Sequence, residues 1–205
     1  HMSDLKKNYE EQLNKMLEQK KNFPYSGLTK TVTVPEFTLP GGRCFSEDTR
    51  IIASINNEEK EYVIADIFSS YDSNSNDDIK VLSHTENNDV SLKCIYKIWK
   101  SGIKNVYTVT TRTGKSVKTS DEHLFFVVGK MYIQLKDLNI GDELICIDDQ
   151  QNVYTDTITS IEEFGEMETY DIEVPETENL FANGIKCHNS RWFRYLFKGA
   201  VIFLP

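Results

Sequence analysis

The sequence of this 205-residue chain predicts an all-β domain between Cys44 and Asn189, preceded by one short helix. Two observations support this fold class. Short runs of β-branched, aromatic and alternating apolar residues recur through this range, and turn-forming residues separate them. An amphipathic helical pattern, by contrast, is found over residues 4–22, outside this range. Strands this short and regular, with little helix between them, are typical of all-β architectures.

The first expected element is the helix over residues 4–22, with Ser3 as its N-cap and Phe23-Pro24 as its end. Its apolar residues recur at helical spacing, and they are Leu5, Tyr9, Leu13, Met16 and Leu17. The leading His1-Met2 is typical of an expression tag and is left out of the fold prediction. An extended run over residues 31–34 and a glycine-rich approach over residues 39–43 then lead to Cys44.

From Cys44 onward the pattern predicts a series of short strands. They cover residues 50–55, 61–64, 79–82, 92–99, 106–111, 116–119, 124–128, 131–134, 143–147, 157–163, 169–174 and 180–182. Gly129-Lys130 is expected to form a tight hairpin turn. Residues 71–78 are polar and low in complexity, which predicts a surface loop.

The distribution of charge argues against nucleic acid as a partner. The net charge is −9, and residues 44–189 carry 13 Lys and Arg against 27 Asp and Glu. Phosphate binding requires a basic surface, which this acidic middle does not offer. A membrane span is not expected either, because the most apolar stretch, residues 195–204, is far shorter than the roughly 20 residues that a span needs.

Cysteine usage bears on both the compartment and the cofactor. The four cysteines, at positions 44, 94, 146 and 187, have no metal-type CxxC spacing, so neither a zinc site nor a disulfide framework is expected. A reducing, cytoplasmic setting fits this pattern. No cofactor and no metal are predicted.

Three local features carry chemistry, although each also has a plain structural interpretation. Cys44 directly follows a Gly-Gly-Arg loop and could attack the carbonyl of the preceding residue, or it could be a buried strand-end cysteine. His123, in the segment 120–123, could donate a proton to a departing nitrogen, or could be a structural histidine. Within residues 183–190, Asn189 could cyclise onto its own carbonyl with help from His188, whereas the alternative is an asparagine-rich surface turn.

Taken together, these features resemble an intein, a self-excising element with the Hedgehog/intein (Hint) fold. The resemblance covers residues 44–189, and its blocks occur in the order expected of the family. The matching segments are Cys44 with Asp48-Thr49, residues 120–123, residues 138–144, residues 170–174 with 181–184, and His188-Asn189-Ser190. Ser120 stands where the family has Thr. The resemblance implies a horseshoe of long, curved strands, and the range leaves no room for a homing endonuclease.

The resemblance also implies the role of each residue in the first step of splicing. Cys44 would attack the Arg43 carbonyl in an N-to-S acyl shift that turns the amide into a thioester. His123 would protonate the leaving nitrogen, and Ser120 would hydrogen-bond nearby. Asp171 matches the acidic residue that the family places beside the nucleophile, where it could accept the thiol proton or tune the thiol pKa.

In the later steps, Ser190 would take over the acyl group as an ester, and Asn189 would cyclise with help from His188. A final O-to-N shift would join Arg43 to Ser190. One departure concerns Glu178, which stands where many inteins have a histidine. Proton transfer during cyclisation is then expected to depend more on His188, or on Glu178 itself.

These expectations divide the chain into an N-terminal flanking segment (1–43), the intein (44–189) and a C-terminal flanking segment (190–205). The partners expected are these flanking exteins, with a monomeric state and no nucleic acid or membrane. Three alternatives stay open at this point. They are a Hint domain that cleaves without ligating, a β-rich binding module that reacts with nothing, and a split intein divided near residues 148–155 that needs a complementary fragment.

Overall fold

The structure is a computed structural model and describes residues 43–73 and 78–189. In these residues the chain forms thirteen strands, one α-helix and one turn of 3-10 helix, which confirms the all-β class. The strands are β1 (Phe45–Ser46), β2 (Arg50–Ile55), β3 (Glu58–Val63), β4 (Ile79–His84), β5 (Val90–Cys94), β6 (Lys97–Thr111), β7 (Ser116–Ser120), β8 (Leu124–Val127), β9 (Met131–Gln134), β10 (Glu143–Ile147), β11 (Val153–Glu173), β12 (Asn179–Ala182) and β13 (Ile185–His188). The α-helix is α1 (Ile64–Ser73), and the 3-10 turn is Leu135–Asp137. The helix predicted over residues 4–22, the extended run over 31–34 and the flanking segment from Ser190 onward lie outside the described residues.

All the strands belong to one sheet, and every strand pair in the described ranges is antiparallel. The order along the sheet is β1-β7-β6-β11-β10-β8-β13-β12-β2-β4-β5, with β3 on β2 and β9 on β8. Strand β11 joins the two halves of this order, because its first residues pair with β10 and its remainder pairs with β6. Strand β1 pairs with both β7 and β11, so the residue before it, Cys44, lies next to these two strands.

The two longest strands are longer than the sequence pattern predicts. The prediction of separate strands over 157–163 and 169–174 is wrong, because β11 runs without a break from Val153 to Glu173. Gly102 on β6 and Gly165 on β11 have positive φ angles of 84° and 116°, and the β6–β11 register shifts beside both of them. Such bulges interrupt the alternation of apolar residues while the strand continues, so the pattern shows two strands where the chain forms one.

The strand predicted over 92–99 is also wrong, for a different reason. Strand β5 ends at Cys94 and β6 begins at Lys97. Between them the backbone changes partner, since the Ile95 amide bonds the Ile79 carbonyl at 3.2 Å and the Tyr96 amide bonds the Glu173 carbonyl at 2.8 Å. The apolar run therefore covers a crossing from one part of the sheet to another.

Helix α1 corrects a third prediction. The strand expected over 61–64 ends at Val63, and the helix begins at Ile64 and takes in the first three residues of the loop predicted over 71–78. Ile64 and Ile67 are fully buried, and Phe68 and Tyr71 pack against the same core. This i, i+3, i+4, i+7 spacing is the signature of an amphipathic helix, and it was present in the sequence.

Two hairpins hold strands that carry site residues. The hairpin predicted at Gly129-Lys130 is present, although β8 ends at Val127 and the loop has three residues, 128–130. Asn183-Gly184 connects β12 to β13, and both residues have positive φ angles, 49° and 75°, as a two-residue hairpin turn requires. This turn makes β13 an ordered, buried strand that ends at His188, whereas no strand was predicted there.

Candidate active site

Ser120 holds the backbone of Cys44 at the start of the domain. The Cys44 amide donates a hydrogen bond to the Ser120 hydroxyl at 3.0 Å, and the Ser120 amide donates to the Cys44 carbonyl at 3.1 Å. Ser120 is the last residue of β7, and the neighbouring pair Phe45–Thr119 joins β1 to β7. The peptide nitrogen between Arg43 and Cys44 therefore lies directly against a hydroxyl group.

The thiol of Cys44 is buried between two groups of opposite charge. Its Sγ atom lies 3.7 Å from Oδ2 of Asp171 on β11 and 2.9 Å from Nζ of Lys104 on β6. Burial raises the pKa of the Cys44 thiol, and the Asp171 charge raises that pKa further. The Lys104 ammonium and the Ser101 hydroxyl oppose this shift. The nucleophile that the sequence predicted thus has a carboxylate and a cation within reach.

His123 follows β7 and is completely buried. Its ring packs between Phe45, at 4.4 Å between centroids, and Phe125, at 5.4 Å. In the described ranges neither ring nitrogen has a hydrogen-bond partner. Burial, followed by the charge of His188, lowers the pKa of His123 to about 3, while the Arg43 backbone opposes the shift. The ring is therefore neutral at pH 7.

At the other end of the domain, His188 and Asn189 follow directly from β13. The Nδ1 atom of His188 donates a short hydrogen bond to the Asn189 carbonyl, the carbonyl that cyclisation would attack. Burial lowers the pKa of His188, and this hydrogen bond opposes the shift. Asn189 is fully buried, and its amide donates to the Glu178 carbonyl at 3.1 Å. Glu178 has a positive φ of 58°, so its main chain turns towards this contact.

The two ends of the domain are connected through packed rings and strand pairing. The His123 ring packs against Phe45 and Phe125, and Phe125 pairs with Cys187, the residue before His188. The charge of His188 lowers the pKa of His123, and the charge of Arg43 lowers the pKa of His188.

Of the predicted site residues, Ser120 and Asp171 each make a hydrogen bond with Cys44, and the His123 amide donates to the Ser120 carbonyl. His188 contacts Tyr132 and Asn189, and Asn189 contacts Glu178. Ser190 lies outside the described residues.

Two residues next to the site were not predicted from the sequence. One is Lys104, in the middle of β6. The other is Tyr132 on β9, whose ring packs edge-on against His188 at 4.6 Å between centroids. Burial, followed by the Cys187 charge, raises the pKa of Tyr132 to about 12. Nothing local marks either residue, because each reaches the site through strand register.

Two of the remaining three cysteines are part of the core, and Cys94 is exposed. Cys146 and Cys187 are buried in the core, where desolvation raises the thiol pKa of Cys146 to about 12 and that of Cys187 well above its usual value. All four cysteines are free thiols. Across residues 43–73 and 78–189, no three His, Cys, Asp or Glu side chains are grouped so that they could hold a metal ion. The helix in these ranges is neither long nor apolar enough to cross a membrane.

Solved structures of inteins are similar to this chain. A mutant of a Ssp DnaB mini-intein variant matches with a TM-score of 0.65 and 26% identity, over 75% of this chain and 95% of that one. A DnaB intein from Synechocystis sp. PCC 6803 has a TM-score of 0.62 and 24% identity, over 72% of this chain and 99% of that one. A transcription factor IIB Mvu mini-intein has a TM-score of 0.66 and 19% identity, over 72% of this chain and 100% of that one. These matches confirm the Hint fold, and the first and third of them are mini-inteins.

The sequence itself was also compared with known families. No curated protein matches it closely enough to add to the comparison. The family model for the intein splicing domain matches residues 51–189, which is more than half of the chain. The chain therefore belongs to the intein splicing domain family.

Proposed function

We propose that residues 44–189 excise themselves and join Arg43 to Ser190. Membership of the intein family establishes autocatalytic protein splicing as the activity class. The observation that carries the residue-level proposal is the surroundings of Cys44. Its amide nitrogen contacts the Ser120 hydroxyl, and its thiol contacts the Asp171 carboxylate. Both atoms that change their bonding in an N-to-S acyl shift therefore have a suitable group beside them.

In the first step, the Cys44 sulfur forms a bond to the Arg43 carbonyl carbon, and the bond from that carbon to the Cys44 nitrogen breaks. The thiol proton passes to Asp171 and finally to the released amine, so that no external acid is consumed. A serine hydroxyl both accepts and donates hydrogen bonds, so Ser120 can accept a hydrogen bond from the Cys44 N–H and then donate one to the nitrogen lone pair as it forms. Neutral His123 has one N–H donor, which can bond the Arg43 oxygen as negative charge develops there.

In the next step, the Ser190 hydroxyl attacks the thioester, releases the Cys44 thiol and forms an ester. The side-chain nitrogen of Asn189 then attacks its own carbonyl carbon, closes a five-membered ring and breaks the bond to Ser190. The hydrogen bond from His188 polarises that carbonyl. The Glu178 carbonyl accepts a hydrogen bond from the Asn189 amide and so helps to hold Asn189 in place. The freed Ser190 amine finally displaces the ester and gives an ordinary peptide bond.

The proposal extends to the partners and the setting of the reaction. The domain acts on its own flanking segments, 1–43 and 190–205, as a monomer, because both predicted ends of the site belong to one chain. Every step is an acyl transfer, so the scheme uses no cofactor. A cytoplasmic setting is supported by the four free thiols, since Cys44 must stay reduced to react.

A split form has a defined place to be divided. Residues 148–152 form the turn between β10 and β11, and the Asp148 carboxylate accepts hydrogen bonds from the amides of Gln150, at 2.9 Å, and Asn152, at 2.8 Å. A division here would leave a C-terminal fragment with the whole of β11, β12 and β13. Such a fragment would carry Asp171, His188 and Asn189, and it would depend on the N-terminal fragment for Cys44 and His123.

The experiment that tests the proposal blocks the last irreversible step. Asn189→Ala should leave the first two acyl transfers intact, so that a branched ester between Arg43 and Ser190 accumulates and hydroxylamine resolves it. The matched control, Asn189→Ala with Ser190→Ala, should accumulate only the thioester. A cleavage-only domain would give no branched ester in the first variant, and an inert binding module would give neither product. Release of residues 190–205 from Asn189→Ala at the wild-type rate would contradict the cyclisation step.

A further inference from the structure

Lys104 contacts the sulfur atom that starts the reaction. Its Nζ lies 2.9 Å from Sγ of Cys44, although the two residues are 60 positions apart. Lys104 lies within β6 and pairs with Met167 of β11, two positions before Val106, which pairs with Ser120 of β7. The strand register that brings Ser120 to the Cys44 nitrogen thus also brings the Lys104 ammonium to the Cys44 sulfur.

The position of Lys104 explains how a thiolate can form at a buried cysteine in the first step. The reactive form of a cysteine is the thiolate, yet Cys44 is buried and lies 3.7 Å from a carboxylate, two conditions that favour the neutral thiol. Asp171 and Lys104 are titratable groups that face the sulfur, and the Ser101 hydroxyl adds a hydrogen bond. Of these three groups, Lys104 is the one that brings a positive charge.

We propose that Lys104 is a further catalytic residue of the first acyl shift, because its ammonium group stabilises the Cys44 thiolate while the sulfur attacks the Arg43 carbonyl. This inference rests on the proposed function of Cys44. Before attack the cluster holds an ammonium, a carboxylate and a thiol. When the thiol proton moves to Asp171, the cluster of Lys104, Asp171 and Cys44 holds an ammonium, a carboxylic acid and a thiolate. The net charge of these three side chains is therefore the same before and after the transfer, and Lys104 keeps its proton.

If the role of Lys104 were only structural, a different result would be expected. If Lys104 only neutralised the buried carboxylate, its removal would change stability without changing the pH at which the thiol becomes reactive. If it stabilises the thiolate, its removal should raise the thiol pKa and move the pH dependence of the first step upwards. The pH profile therefore separates the two roles.

The test uses the full chain with Asn189→Ala and Ser190→Ala, so that only the first step is observed. Dithiothreitol-induced release of residues 1–43 is measured between pH 6 and pH 10 for this parent, for Lys104→Met and for Lys104→Arg. Each rate is divided by the parent rate at the same pH, which cancels the ionisation of dithiothreitol itself. Lys100→Met is the matched control, since Lys100 is on the same strand but pairs with Glu168 at the surface.

Lys104→Met is expected to slow release about tenfold at pH 7, and its rate relative to the parent should rise towards pH 10, as a shift of about one pKa unit requires. Lys104→Arg should keep the parent profile because it keeps the charge, and Lys100→Met should match the parent. A Lys104→Met profile that follows the parent at every pH would overturn the proposal. If Lys104→Met does not fold, by far-ultraviolet circular dichroism, the Lys104→Arg profile decides, and an upward shift there contradicts the role of charge. Release from Cys44→Ala in the same background would instead overturn the proposed function itself.

Discussion

The Cys44 amide donates a hydrogen bond to the Ser120 hydroxyl at 3.0 Å, across 76 positions of sequence. The return bond from the Ser120 amide to the Cys44 carbonyl fixes both sides of the Cys44 backbone. This relationship places a hydroxyl next to the nitrogen that must leave in the first step. It also explains why serine can stand where the family has threonine, since the hydroxyl is the part that makes the contact.

We predict that Ser120→Ala slows the first acyl shift and that Ser120→Thr does not. Loss of a hydrogen bond of this kind costs about 1–1.5 kcal/mol, which corresponds to roughly a tenfold lower rate. The rate is measured as dithiothreitol-induced release of residues 1–43 with Asn189→Ala and Ser190→Ala present. An equal loss of rate in both Ser120 variants would indicate a packing effect and would contradict the hydrogen-bond role.

We predict that burial of His123 destabilises the fold in acid. Its pKa is about 3 in the folded chain against an ordinary value of 6.5, so below pH 6.5 the unfolded chain binds a proton that the folded chain does not. Stability due to this residue is therefore present above pH 6.5 and falls as the pH drops towards 3, by up to about 1.4 kcal/mol per pH unit.

This prediction is checked by urea unfolding at pH 7, 5.5 and 4, with Cys44→Ala and Asn189→Ala present to keep the chain intact. Adding His123→Gln should flatten the fall in unfolding free energy between pH 5.5 and pH 4. Because His84 and His188 are present in both proteins, the difference between the two slopes belongs to His123. Parallel slopes would show that His123 is not held neutral by burial.

We predict that the Tyr132 ring positions His188 for cyclisation of Asn189. The two rings meet edge-on at 4.6 Å, and aromatic pairs of this kind contribute about 0.5–1.5 kcal/mol. Tyr132→Ala should therefore slow release of residues 190–205 by roughly two- to tenfold, whereas Tyr132→Phe should keep the rate because it keeps the ring. Release is measured with Cys44→Ala present, so that the upstream step does not contribute. A slow Tyr132→Phe variant would mean that the hydroxyl, rather than the ring, matters.

Much of the fold could be predicted from the sequence because the strand signals are local. The predicted bounds 50–55, 131–134 and 143–147 agree with β2, β9 and β10. The length of β6 and β11 could not be predicted in this way, because the bulges beside Gly102 and Gly165 disturb the alternation that marks a strand. Helix α1 could have been predicted from the sequence, since the spacing of Ile64, Ile67 and Phe68 is helical.

Some residues of the site could be identified from the sequence, whereas others are identified only by the fold. Cys44, His123 and the pair His188-Asn189 have local sequence marks, and Asp171 followed from resemblance to the family. Lys104 has no mark, because its contact with Cys44 arises from the register of β6 on β11 and of β7 on β6. Register is set by long-range pairing, which the sequence around Lys104 does not reveal.

The central claim is that Arg43 becomes joined to Ser190 as residues 44–189 leave. The most direct measurement is peptide mapping by mass spectrometry of the wild-type chain after expression and incubation. The account predicts a peptide that contains the new Arg43–Ser190 bond, together with an excised product that runs from Cys44 to a C-terminal succinimide or Asn189. Free fragments 1–43 and 190–205 without any junction peptide would contradict ligation, and an intact chain with neither product would contradict autocatalysis at these residues.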